Sequence, residues 1–126
     1  MNQRVNALGH MFDLRKEFME ALKTKVPDSY PDWPVDVSQR ESQQALRETM
    51  LRGVEELFEA LQHLKNWKNH RSDTNEDFDR EAFLEEMVDA LNYFFAVLTM
   101  LGINDEELFH SYRKKHNIIM KRVENK

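Results

Sequence analysis

Residues 79–102, DREAFLEEMVDALNYFFAVLTMLG, decide the fold class. No proline or glycine interrupts them until Gly102, a helix stop signal. Glu86, Asp89, Tyr93, Ala96 and Met100 recur at spacings of three and four, so they share one helix face. From Tyr93 to Leu101 the segment is apolar nearly all round except at Thr99, the composition of a buried helix. The carboxylates of Glu86 and Asp89 thus continue a buried stripe, which predicts that something packs over them, a second subunit being a good candidate.

Outward from this helix the chain reads the same way. Three glycines and three prolines in 126 residues are too few for the frequent turns of a sandwich or barrel. A first helix is expected from about Arg4 to Lys25, with Val5, Leu8, Met11/Phe12, Phe18/Met19 and Leu22 at helical spacing. Pro27, Pro31 and Pro34 then force an extended connection over 26–37, which Tyr30 and Trp33 should pin down. Ser38 followed by Glu41 has the capping-box pattern, opening a second helix that should reach about Trp67. Its apolar stripe is Leu46, Met50, Leu51, Val54, Leu57, Phe58, Leu61 and Leu64. Residues 69–77 read as a polar connector. Asn104 with Glu107 caps a fourth helix. The expectation is one all-α domain over residues 1–126, a four-helix bundle.

Composition narrows the chemistry. With no cysteine, disulfides, thiolate zinc sites and cysteine nucleophiles are excluded. No apolar run is long enough for a membrane span, so no membrane partner is expected and a cytoplasmic location is the default. The net charge of −5 argues against a nucleic-acid partner. Its distribution is uneven: residues 110–126 carry +5, leaving −10 for the rest, which suits a site holding metal ions and phosphates together.

Two carboxylate pairs carry the strongest signal. Glu56 and Glu59, preceded by Glu55, lie on the second helix, and Glu86 and Asp89, preceded by Glu85, on the third. Three-residue spacing puts each pair on one face, and two such helices side by side bring four carboxylates together. All-oxygen donors favour Mg²⁺, with Mn²⁺ the alternative, and a di-iron site would want Glu-x-x-His, absent from both pairs. A single acidic pair on a helix is ordinarily just solvated. The five histidines, His10, His63, His70, His110 and His116, form no ligand motif and read as surface or core residues.

These residues resemble a family. Glu55-Glu56-Leu57-Phe58-Glu59, then 26 residues, then Glu86-Met87-Val88-Asp89, is similar to the EExxE…ExxD signature of the all-α nucleoside-triphosphate pyrophosphohydrolases, among them MazG, the dimeric dUTPases and the phage dCTPase/dUTPases. Trp67-Lys68 resembles a Trp-Lys found after the first acidic motif in several members. The run from Leu101 through Tyr112 to Lys115 and Arg122 resembles the C-terminal helix of the phage enzymes. The likeness covers about residues 46–126.

The resemblance implies a MazG-like bundle, a homodimer or tetramer, with Glu56, Glu59, Glu86 and Asp89 as Mg²⁺ ligands. It implies hydrolysis of a (deoxy)nucleoside triphosphate, dUTP or dCTP for preference, to the monophosphate and pyrophosphate. Glu55, Glu56 and Glu59 are the catalytic candidates, with Glu55 or one of the four ligands accepting the proton of the attacking water. Lys115 and Arg122 would hold phosphate oxygens, and Trp67, Lys68, Asn92 and Tyr93 would bind substrate. Ile119 stands where members often carry Asn, and Arg15 lies near where several dUTPases carry Gln. Two alternatives stand beside this: a broad-specificity MazG-like pyrophosphatase, and a non-catalytic helical module whose basic tail docks an acidic partner.

Overall fold

The computed structural model describes residues 6–70 and 78–126, and these are all-α, without a strand. Four helices follow one another: α1 Ala7–Lys25, α2 Arg40–Leu61, α3 Arg80–Met100 and α4 Asp105–Glu124. None is long and apolar enough by itself to cross a membrane. The described residues fall into two compact units, one holding α1, α4 and the last residues of α3, the other running from Asp36 to Val97.

In the first unit, α1 opens on Asn6, whose side-chain oxygen accepts from the Gly9 N–H at 3.0 Å. The same side chain donates to Asp105 Oδ2 at 2.9 Å, tying the starts of α1 and α4 together. Gly9 makes room for this: a Cβ there would lie 2.6 Å from Asn6 Nδ2 and 2.8 Å from Asp105 Oδ2. Arg4 and Val5, at the expected start of the helix, lie outside the described residues. Phe12 and Met19, seven apart, form the buried face of α1. The proline-rich connection is pinned as its aromatics predict. Arg15 donates to the Tyr30 hydroxyl at 3.1 Å, and Lys23 pairs with Asp32 while lying 5.4 Å from the Trp33 ring centre. Val35 N–H then donates to the Met100 carbonyl at 2.8 Å.

Gly102 ends α3 as expected. Its φ of 76° lies in the left-handed region. Its N–H bonds Thr99 O at 3.0 Å, and the Ile103 N–H bonds Leu98 O at 2.9 Å, the paired bonds of a Schellman stop. Asn104 then accepts from the Glu107 N–H at 2.9 Å and starts α4. No residue of α4 is buried.

In the second unit two sequence expectations fail. Ser38 is not the cap of α2: that position is Gln39, which makes no side-chain capping bond. Both the N–H and the hydroxyl of Ser38 are instead held by Asp36 Oδ1, at 3.0 and 2.7 Å, in a local turn that outcompetes the cap. And α2 stops at Leu61, not Trp67. Gln62, His63 and Leu64 each bond a carbonyl three residues back, so the helix tightens and ends without glycine or proline.

The buried face of α2 is also not its large apolar stripe. Only Gly53 and Ala60, seven apart, are buried, while Met50, Leu51, Val54, Phe58 and Leu61 remain exposed. The small residues let α3 approach closely, with the Phe94 ring seated over Gly53. A Cβ at Gly53 would meet three ring atoms at 2.8–3.3 Å. Gly53→Ala gains about 1 kcal/mol of helix propensity but forces an overpacking of roughly 1–3 kcal/mol. The expected net result is destabilisation by about 1 kcal/mol, measurable by urea denaturation.

Candidate functional site

The Gly53–Phe94 approach, with Glu59 meeting Glu86 further along, makes α2 and α3 an antiparallel pair. One turn beyond Gly53 on α2 comes Glu56, and two turns before Phe94 on α3 comes Glu86. Glu56, Glu86 and Asp89 each offer a carboxylate oxygen, and the three oxygens lie within 4.8 Å of one another. Glu59 lies close enough to interact with both Glu56 and Glu86. The two helices thus bring together the four acids that the sequence singles out.

Crowded carboxylates resist ionising together. The Glu56 carboxyl is pushed up to about 7, first by a hydrogen bond with Glu59, then by desolvation and by the charges of Glu59, Asp89 and Glu86. Glu86 is raised too, again first by its hydrogen bond with Glu59 and then by desolvation; the nearby His63 imidazole pulls the other way. Glu86 Oε2 is shut off from solvent without a hydrogen-bond partner among the described residues. Such a cluster has two ways of relieving its charge: it shares protons, or it holds a hard cation. Oxygen-only donors match the second: Glu56, Glu86 and Asp89 are the residues that would hold such a cation.

The raised values fix a sign for stability. A carboxyl whose folded pKa exceeds its unfolded value binds more protons when folded, so its contribution favours the folded state at low pH. For Glu56 that contribution is complete below about 4.5 and is lost as pH rises through about 7. In chelator-treated protein, the melting temperature should therefore carry a component that falls between those values, and Glu56→Gln should flatten it. A Glu56→Gln profile that matches the wild type would contradict the crowding.

The other predicted residues are placed less closely. Glu55 is exposed, turned about 100° from Glu56 round α2, and is not among the charges acting on Glu56 or Glu86. Asn92 and Tyr93 are half-buried on α3. Trp67 is 71 % exposed beyond the end of α2, with Lys68 Nζ 5.3 Å from its ring centre. Lys115 and Arg122 are exposed on α4, which belongs to the other unit, and share one face of it. Residues 71–77 of the polar connector lie outside the described residues.

Sequence reasoning passed over His63. It follows Glu59 by four and Glu56 by seven, so the signal was its place on their face. It acts on Glu86 and also lines a hollow with Leu64, Lys65, Asn66, Trp67 and Phe78. Phe78, stacked at a tilt on Phe83 with centroids 5.5 Å apart, was likewise unmarked by any motif. No family model, curated protein or solved structure matches the chain.

Proposed function

We propose that this chain is a Mg²⁺-dependent nucleoside-triphosphate diphosphatase of the MazG-like bundle type, acting in the cytoplasm on a deoxynucleotide such as dUTP or dCTP. The observation that carries the reading is the convergence of Glu56, Glu86 and Asp89 within 4.8 Å, with Glu59 against them. It is supported by the resemblance of those same acids, in that order and spacing, to the EExxE…ExxD signature.

In the reaction a water oxygen bonds to phosphorus, the anhydride bond breaks, and monophosphate and pyrophosphate leave. Bound Mg²⁺ supplies charge neutralisation for the triphosphate and a lowered pKa for water. The chain supplies the rest. Glu56, Glu59, Glu86 and Asp89 hold the cation, and a carboxylate of this set, or Glu55 beside it, accepts the water's proton. Lys115 and Arg122 are the phosphate-binding groups carried by α4, Arg122 being able to engage two oxygens at once. Trp67 offers an exposed indole face for a base and Lys68 a neighbouring cation.

The test is pyrophosphate release from a panel of NTPs and dNTPs, with Mg²⁺ and with EDTA. Release that needs the metal and favours one base supports the reading and names the substrate. Metal-dependent release without base preference points to the broad-specificity form. No release from folded protein overturns it. One observation favours the non-catalytic interaction module instead: α4 buries none of its residues although it carries Phe109, Tyr112, Ile119, Met120 and Val123 beside its cations.

A further inference from the structure

His63 stands where two features of the second unit meet. It follows Glu59 by four and Glu56 by seven, and so carries their face past the end of α2. The tight turns in which Gln62, His63 and Leu64 bond carbonyls three residues back hold it there. Half-buried, it is close enough for its charge to act on Glu86 of α3. It also lines the hollow with Leu64, Lys65, Asn66, Trp67 and Phe78. One side chain therefore borders both the acids and the hollow.

The hollow has the walls of a ring seat. Trp67 and Phe78 supply two aromatic surfaces, which hold flat rings by stacking. Phe78 is braced by Phe83, in the first turn of α3, with ring centroids 5.5 Å apart. Trp67, 71 % exposed, keeps indole surface open to a ligand. The volume of the hollow, about 180 Å³, is below the roughly 300–1,000 Å³ of a pocket that takes a whole small molecule. It admits a single ring and leaves the rest of the ligand outside. On the His63 side that remainder meets carboxylates suited to a cation-bound phosphate chain. An imidazole, with one donor and one acceptor nitrogen, matches the sugar and phosphate oxygens that lie between a ring and such a chain.

We infer that His63 is a further substrate-contacting residue: it holds the sugar–phosphate link of a pyrimidine nucleotide whose ring sits between Trp67 and Phe78 and whose phosphates reach the carboxylates. The phosphate end rests on the diphosphatase reading, and the ring seat rests on the hollow alone. The rival role for His63, a counter-charge to Glu86 and nothing more, gives different results in the same variants.

The chain has two tryptophans, and Trp67→Phe tells the emission of Trp67 from that of Trp33. Titrated in EDTA with deoxyuridine monophosphate and, separately, with deoxycytidine monophosphate, the wild type should show saturable quenching by at least one of them. Trp67→Phe should remove the quenching, and Phe78→Ala should weaken binding at least about tenfold. His63→Ala should weaken binding about tenfold, the loss of one hydrogen bond. His63→Gln, which keeps a donor and an acceptor, should stay closer to the wild type. In turnover His63→Ala should raise KM by a similar factor and leave kcat nearly unchanged, because the contact is made before and during the reaction alike. Its helical circular dichroism and its Mg²⁺-induced rise in melting temperature should match the wild type. Unchanged monophosphate binding in His63→Ala overturns the inference, and an altered Mg²⁺ response in that variant then assigns His63 to Glu86 alone. Turnover of triphosphates without quenching by either monophosphate also overturns it, and leaves the diphosphatase reading standing. Quenching that depends on His63, without turnover of any triphosphate, supports the contact and overturns the diphosphatase reading instead.

Discussion

Glu59→Gln is expected to lower pyrophosphate release by at least about a thousandfold, the rate equivalent of losing several kcal/mol of metal-borne charge stabilisation. The substitution keeps the shape of the side chain and removes its charge. Glu59 is the acid that acts first on both Glu56 and Glu86, so its loss changes the charge that both of them meet. The same variant should be no less stable than the wild type in chelator at pH 8, because one of several mutually repelling carboxylates has gone. Loss of turnover together with retained stability separates a functional acid from a structural one. Undiminished turnover would remove these four residues from the mechanism, and a fall in chelator stability would show that Glu59 holds the fold instead.

Mg²⁺ should raise the melting temperature of the chelator-treated protein. A ligand that binds only the folded state stabilises it by about 2.7 kcal/mol at one hundred times its dissociation constant. For a chain of this length that is a shift of roughly 10 °C. EDTA should reverse the shift, and Glu86→Gln, which alters the carboxylate whose Oε2 lacks a partner among the described residues, should abolish most of it. The readout is thermal, so it stands apart from catalysis and distinguishes a cation site that works on no tested nucleotide from no cation site at all. An unchanged melting temperature across a wide range of Mg²⁺ would leave the acids as a proton-sharing cluster.

Residues 79–102 illustrate how far local chemistry reaches. Gly102 ends α3 because only glycine enters the left-handed region cheaply, and Asn104 starts α4 because its side chain replaces a missing backbone acceptor. Both are decided within a few residues, so both are legible in the chain. So are the two carboxylate pairs, whose three-residue spacing places each on one face whatever else surrounds the helix. The Pro27–Pro34 connection, held by Tyr30 and Trp33, belongs with them.

Competition between neighbours is harder to read. Ser38 had two possible partners, the start of α2 and Asp36, and the nearer carboxylate holds it. The end of α2 at Leu61 carries no glycine or proline, and the apolar period running on through Leu64 to Trp67 concealed it. His63 has no motif of its own, and only its distance from Glu86 gives it a role.

The amino-acid order alone settled that this is a helical chain, where its third helix stops and its fourth starts, and which acids stand together on each helix, since these depend on interactions within a turn or two. Which face of α2 is buried was decided between helices. Gly53 and Ala60 win over a larger apolar stripe because their lack of side chain lets Phe94 and its helix come close. That one choice sets the four carboxylates against each other, raises Glu56 and Glu86, and turns Met50, Val54, Phe58, Leu84 and Val88 outward. Close packing is a property of two surfaces at once, and no single helix's periodicity contains it.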